Sequence, residues 1–263
     1  TDDAHLSFRF GRQLNRRQEF DVRRNSHLPI IDLDLYTSDY QLEWHHPHWK
    51  ELDGLIGVQY FYQGSYNNPG TGVTPLIPNY RSNRLSAFIV ESIDIHHSTF
   101  EGGIRFDYAR NSVSGREANQ SVFNDLFSFS NLTASIGMIQ HINEKITYRA
   151  NVGSSWRTPN ILELYSFGQH GFQTSFGLLR YYTNDEGNVR TDAVSEFLNA
   201  DVSVERGYKL TNELAFDFEK SNIVITAYAQ LIEDYIFEKP LGLIGTIRGP
   251  MPVFIYDQVN AAF

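Results

Sequence analysis

Nine histidines stand in a chain that has no cysteine, and imidazole is a favoured ligand for zinc, copper, iron and nickel. Their spacing is uneven. His45, His46 and His48 fall within the stretch WHHPHW (Trp44 to Trp49), His96 and His97 are adjacent, and His5, His27, His141 and His170 stand alone. The lack of Cys removes a thiolate metal site, a Cys nucleophile and a disulfide scaffold, and is compatible with an oxidising compartment. Hydrolytic chemistry would need a nucleophile beside its base, or paired carboxylates. No G-x-S-x-G elbow and no H-E-x-x-H helix occurs, so no enzyme is expected, and no resident cofactor is called for.

The elements that must position these side chains are constrained by composition. A hydrophobic fraction of 41% with 14% aromatics excludes a disordered chain. A net charge of -9 argues against nucleic acid as a partner. The richest basic stretch, Arg12 to Arg24, is interrupted by Glu19 and Asp21 and reads as a solvated loop. No run of about 20 apolar residues is present to form a transmembrane helix. The first residues, TDDAHLSF, have neither the basic nor the apolar region of a signal peptide. Because the chain begins on Thr1 and its last residues, YDQVNAAF, run on in a strand pattern, it is expected to be a fragment of a larger protein.

Alternation with period 2 dominates. From Thr99 to Arg110 the even positions Phe100, Ile104, Phe106 and Tyr108 oppose Glu101, Arg105 and Asp107. The same split recurs in Ile146 to Gly153 and in Tyr208 to Glu219, while Asn222 to Phe237 keeps Ile223, Ile225, Leu231, Tyr235 and Phe237 on one side. Weaker alternation covers Leu6 to Gly11, Ile31 to His45, Leu55 to Gln63, Leu85 to His96 and Asn131 to Ile142. The pattern gives about ten strands and no amphipathic helix.

Connections alternate in length. Those near Trp49 to Asp53, His96 to Ser98, Ile142 to Lys145 and Glu219 to Asn222 are short, whereas Asn67 to Asn79, Asn111 to Val122, Arg157 to Arg206 and Glu238 to Pro252 are long. Short turns on one rim and long loops on the other are the mark of an all-β, antiparallel, up-and-down transmembrane β-barrel. An apolar face rich in Tyr and Phe suits the membrane interface, and an opposite face of Arg, Asp, Glu, Asn and Thr suits a wet or plugged lumen. A soluble β-sandwich would alternate too, but it would bury its aromatic faces against each other.

One stretch departs from alternation: SSWRTPNILELYSFGQHGF, Ser154 to Phe172. Its residues Arg157, Pro159, Glu163, Leu164, Tyr165, Ser166, Gly168 and His170 resemble the R-A-P-x-x-x-E-L-Y-S-x-G-x-H-x-G segment of TonB-dependent outer-membrane receptors. Asn199 and Glu205 in NADVSVERG resemble a later family segment. QLNRRQEFD, WHHPHW, LIPNYRS, GGIRFDY and AYAQLIEDYIF are similar as well, so the resemblance spans nearly the whole chain. It implies that residues 1–263 are part of a barrel of about 22 strands, with the plug domain absent from this chain. It further implies active import of a scarce nutrient, a ferric siderophore, haem or metal ion, across the bacterial outer membrane. The implied partners are a TonB-ExbB-ExbD energising complex acting through the plug, outer-membrane lipid and the barrel-insertion machinery. A passive porin and a soluble all-β binding module are the alternatives.

Barrel polarity sorts the histidines. His45, His46 and His48, with His96, His97 and His141, go to the short-turn rim, away from arriving ligand, with Trp44 and Trp49 as interface anchors. His170 lies in the long outer loop at the family's G-x-H position, which the resemblance makes a ligand or metal contact. The sequence departs from zinc and haem receptors just beyond, where Phe176 and Gly177 replace a Tyr-Glu-like pair. Tyr165, Phe172, Tyr181 and Tyr182, with Phe167 and Phe176, either stack on a ligand or pack the loop. Asp185, Glu186 and Asp192 either assist a cation or form a solvated turn. Arg157, Pro159, Glu163, Leu164, Tyr165 and Gly168 are read as the structural part of the motif.

Overall fold

The alternating segments form ten long strands and two short ones in a computed structural model, which describes residues 4–21, 25–116, 121–170, 173–180, 202–246 and 249–262. The long strands are β1 (His5–Phe20), β2 (Pro29–His45), β3 (Leu52–Asn67), β4 (Asn79–Ile95), β5 (Ser98–Arg116), β6 (Val122–Asn143), β7 (Ile146–Arg157), β10 (Glu205–Phe218), β11 (Ser221–Thr246) and β12 (Gly249–Ala262). Between β7 and β10 lie a five-residue helix, α1 (Ile161–Tyr165), and the short strands β8 (Phe167–His170) and β9 (Gln173–Phe176).

All twelve belong to one sheet, ordered β1-β2-β3-β4-β5-β6-β7-β10-β11-β12-β9-β8. Every pairing is antiparallel except β12 with β9. The sheet does not close on itself, since among the described strands β1 pairs only with β2 and β8 only with β9.

Register shows what each face is for. One hydrogen-bonded row runs Phe8, Leu42, Val58, Ala87, Phe106, Leu132, and the row beside it runs Arg9, Gln41, Gln59, Ser86, Asp107, Asn131. Successive side chains on a strand point to opposite faces. Phe8 and Leu132 are each 64% exposed whereas Asp107 is 2% exposed, so the apolar face is turned outward and the polar face inward. Among the described residues no second sheet covers the apolar face, as a sandwich would require. Aromatics on the apolar face pack across strands in tilted pairs, with Phe10 4.8 Å from Tyr40 and Tyr40 6.1 Å from Tyr60 between ring centroids. Buried apolar side chains cluster where α1 packs onto Val113 and where Phe176 meets Val253 and Ile255.

Several expectations change. The Arg12 to Arg24 stretch is not all loop, because Arg12, Arg16 and Arg17 belong to β1, and Arg16 is held by Asp32 across the β1–β2 pair at 2.9 Å. Glu238 to Pro252 is mostly strand, β11 and β12 remaining paired out to Thr246 and Gly249. The Asn111 to Val122 connection shrinks likewise, β5 running to Arg116 and β6 starting at Val122. His45 ends β2 rather than sitting in a turn, and His141 lies within β6. Tyr235 and Phe237 fall out of phase with Ile223 and Ile225, because the register shifts by one residue between Ile232 and Tyr235. Such a bulge exchanges the faces of the residues beyond it, here as far as a second register shift between Pro240 and Gly242. Asp234, at φ 53, sits in the bulge, and its neighbours satisfy the displaced polar groups: Asn260 accepts from the Asp234 amide and Gln258 donates to the Asp234 carbonyl.

Candidate functional site

The Ser154–Phe172 stretch stops alternating because it folds back onto the inner wall. Pro159, which has no amide to offer a neighbouring strand, stands two residues beyond the end of β7 at Arg157. Asn160 then caps α1: its side chain accepts from the Glu163 amide at 2.9 Å, and the Glu163 carboxylate accepts from the Asn160 amide at 2.8 Å. This reciprocal pair is a capping box. The pattern of alternation gives no helix here; the N-x-x-E spacing from Asn160 to Glu163 is the local signal that would have marked it.

Arg157 locks this turn to the barrel. One guanidinium nitrogen donates to both Glu163 oxygens at 2.9 and 2.8 Å, and the other donates to Glu205 at 2.8 Å. Glu205 also accepts from the Ile236 amide beside the β11 bulge at 3.2 Å. Two motif pieces 48 residues apart thus meet on one arginine. Sequence reasoning quoted Arg157, Glu163 and Glu205 but could not pair them.

Leu164 and Tyr165 are 2% and 1% exposed. The Tyr165 ring lies 5.9 Å from Phe123 and 6.3 Å from Phe127, and its hydroxyl donates to Asp125. Burial, followed by the hydrogen bond to Asp125 and that carboxylate's charge, raises the Tyr165 pKa above the ordinary phenol value. Tyr165 therefore packs the loop and offers no ring face to a ligand. Gly177 passes over α1 so closely that an added Cβ would stand 2.4 Å from the Leu164 carbonyl oxygen. Gly168 has φ 126, in the region that favours glycine. Arg180, 3% exposed, donates to the Tyr165 carbonyl at 3.2 Å and lies 5.2 Å from the Phe123 ring centroid and 5.5 Å from that of Phe167. No sequence signal marked Arg180, because a lone arginine in a loop has the same local pattern whether buried or solvated.

Beside this knot opens a cleft of about 820 Å³ on the rim with the longer connections, lined by Asn67, Asn79, Arg116, Phe123, Phe167 and Arg180 among others. Asn79 accepts from the Asn67 amide at 2.7 Å and so pins the base of the 68–78 loop. The exposed Arg116 guanidinium and the Phe123 and Phe167 rings suit an anionic ligand with flat or aromatic surface, with Arg180 adding positive charge from beneath them. His170 is placed by its backbone on β8, paired with Gln173, and its side chain is outside the described residues. Phe172, Tyr181, Tyr182, Asp185, Glu186, Asp192 and Asn199 also lie outside them.

Below the cleft the inner wall carries a continuous polar network. Arg105 donates to Asp107 at 3.0 Å and to Gln59 at 2.7 Å, and Gln59 donates to Asp39 at 2.9 Å. Asp107 also accepts from Ser86 at 2.5 Å and from the Trp156 indole at 3.0 Å. A wall lipid-facing on one side and hydrogen-bonded on the other is what a barrel around a polar lumen requires. The family model for the TonB dependent receptor-like β-barrel matches residues 2–262.

The chain belongs to the TonB-dependent receptor β-barrel family. This is a family of bacterial outer-membrane receptors, and the fold is similar to solved examples. A copper transporter, OprC, superposes with a TM-score of 0.64 at 14% identity, over 98% of this chain and 39% of that one. The ferric-catecholate import receptor Fiu from K12 E. coli gives 0.60 at 11% identity, over 100% and 41%. The Serratia marcescens hemophore receptor HasR, solved with its hemophore HasA and heme, gives 0.59 at 13%, over 89% and 39%. The chain thus spans about two fifths of the length of these structures. No individually curated protein matches its sequence.

Proposed function

We propose that this chain supplies part of the lipid-facing wall and outer vestibule of a receptor that imports a scarce nutrient by TonB-coupled transport, the cargo being a ferric siderophore, haem or a metal ion. The observation that carries this reading is the cleft between Arg116, Arg180, Phe123 and Phe167, at the mouth of a wall whose inner face carries the Arg105–Asp107–Gln59–Asp39 hydrogen-bond network. Ferric catecholates and haem both present negative charge beside flat aromatic surface, which these groups complement. The role needs no covalent step, only binding outside and release inward. His170 is proposed as a cargo contact, with Phe172, Tyr181 and Tyr182 as stacking partners. The energising TonB-ExbB-ExbD complex would act through a plug carried elsewhere in the protein.

Equilibrium binding of haem, zinc and ferric siderophores to the full-length receptor, with His170→Ala beside it, tests the reading. Saturable binding of one cargo, together with uptake that vanishes without TonB, is the expected result. Diffusion of small solutes through reconstituted protein, with no saturable binding and no need for TonB, would instead make it a passive porin. Unchanged binding by His170→Ala would remove that residue from the site.

A further inference from the structure

We propose that His5, His45 and Glu43 form a binding site for a divalent transition-metal ion on the inner wall, at the rim opposite the vestibule. His5 and His45 are 40 positions apart in sequence but are direct cross-strand partners between β1 and β2. Their neighbours Leu6 and Trp44 are exposed on the outward face at 66% and 46%, so strand alternation directs both imidazoles inward. The two rings lie 4.2 Å apart at an interplanar angle of 9°.

Glu43, the next inward residue on β2, is 7% exposed and already oriented. Its Oε1 accepts from Arg9 at 2.6 Å and from Gln41 at 2.7 Å, while its Oε2 faces His45 Nε2 at 3.9 Å. Bonds from imidazole nitrogen and carboxylate oxygen to such an ion are about 2.0–2.2 Å, so two donors sharing one ion stand roughly 3–4 Å apart. Glu43 and His45 are at that separation. Among the described residues no three His, Asp or Glu groups already surround one point, so the stacked His5 ring must turn to direct a nitrogen at the ion. An exposed side chain at the start of a strand can make that turn.

Two imidazoles and one carboxylate select zinc, copper or nickel over magnesium and calcium. Three protein donors leave a position open to water. Arg9 and Gln41 act as the outer support that fixes the carboxylate ligand. The neighbouring His46 does not join this group: its Nε2 is 3.0 Å from Glu91 and its Nδ1 is 2.8 Å from the Pro47 carbonyl oxygen.

The test uses Cu²⁺ as probe on the full-length receptor in detergent. Electron paramagnetic resonance is expected to show two coupled imidazole nitrogens at this site, falling to one in His5→Ala and in His45→Ala, and unchanged in His46→Ala. Copper stoichiometry and nitrogen coupling that persist in the His5→Ala/His45→Ala double variant would overturn the proposal. Should the double variant fail to fold, carbethoxylation of the unsubstituted protein decides. Cu²⁺ is expected to protect His5 and His45 together, and equal labelling with and without the ion would refute the site.

Discussion

At the scale of single residues, the strongest dependence falls on Arg157. Its two carboxylate partners keep side-chain exposures of 11% and 15%, while the arginine itself is 41% exposed. Removing a charge-assisted donor from partly buried acceptors costs about 1–3 kcal/mol, with solvent screening holding the effect toward the lower end. Arg157→Ala should accordingly lower the unfolding temperature of the receptor, read from the heat-modifiable band on gels. Arg157→Lys should recover only part of the loss, because an ammonium cannot span both carboxylates as a fork. Tyr165 gives a pH signature. Its folded pKa is raised, so the stability it contributes is fully present below the ordinary phenol value of about 10 and is lost as pH climbs beyond it, when only the unfolded chain ionises. Thermal melts of wild type against Tyr165→Phe should diverge above that pH, and parallel curves would contradict the buried hydroxyl.

Elements carry a different kind of dependence, since here the question is which face a residue joins. Ile104 is 52% exposed and sits on the outward row with Leu6, Trp44, Ile56 and Ile89. An arginine on the lipid face near the bilayer midplane costs about 2–4 kcal/mol. Ile104→Arg should therefore show a loss of up to that size in denaturant titrations of protein folded into vesicles, set by the depth of the row, whereas Thr37→Arg, on the inward face, should show little. Gly177→Ala tests the seating of α1. Its methyl group must displace the Leu164 carbonyl, and overpacking of this kind costs about 1–3 kcal/mol. Loosening of α1 should then expose Tyr165, measurable as new fluorescence quenching.

For the whole molecule, the open sheet dictates the outcome. β1 and β8 each present one edge without a partner among the described strands. In a bilayer every backbone donor and acceptor must be satisfied within the protein, so this sheet needs further strands to complete a barrel. Expressed alone, the chain should aggregate or pair edge to edge. Co-expression with the remaining part of its receptor should restore a heat-modifiable monomer, and a monomeric, protease-resistant barrel from this chain alone would contradict the open topology.

The sequence by itself determined most of the strands, their outward and inward faces and the rim of short turns, but it overstated two of the long connections, which are largely paired strand. Alternation is a local property: Phe106 and Asp107 are adjacent in the chain and necessarily point to opposite sides. It also marked Arg157, Pro159, Glu163 and Leu164 as a unit, through their resemblance to one family segment, while period-2 alternation leaves the capping spacing inside that segment unread. Tertiary structure alone decided what depends on register and on distant segments meeting. The bulge at Asp234, which removes Tyr235 and Phe237 from their expected face, is a one-residue slip that period-2 reading cannot detect. Tyr165 passed from candidate ligand contact to buried packing once β6 supplied Phe123, Phe127 and Asp125. His45, grouped by sequence with His46 and His48, is partnered in space by His5, because strand pairing brings together residues that linear spacing keeps 40 positions apart.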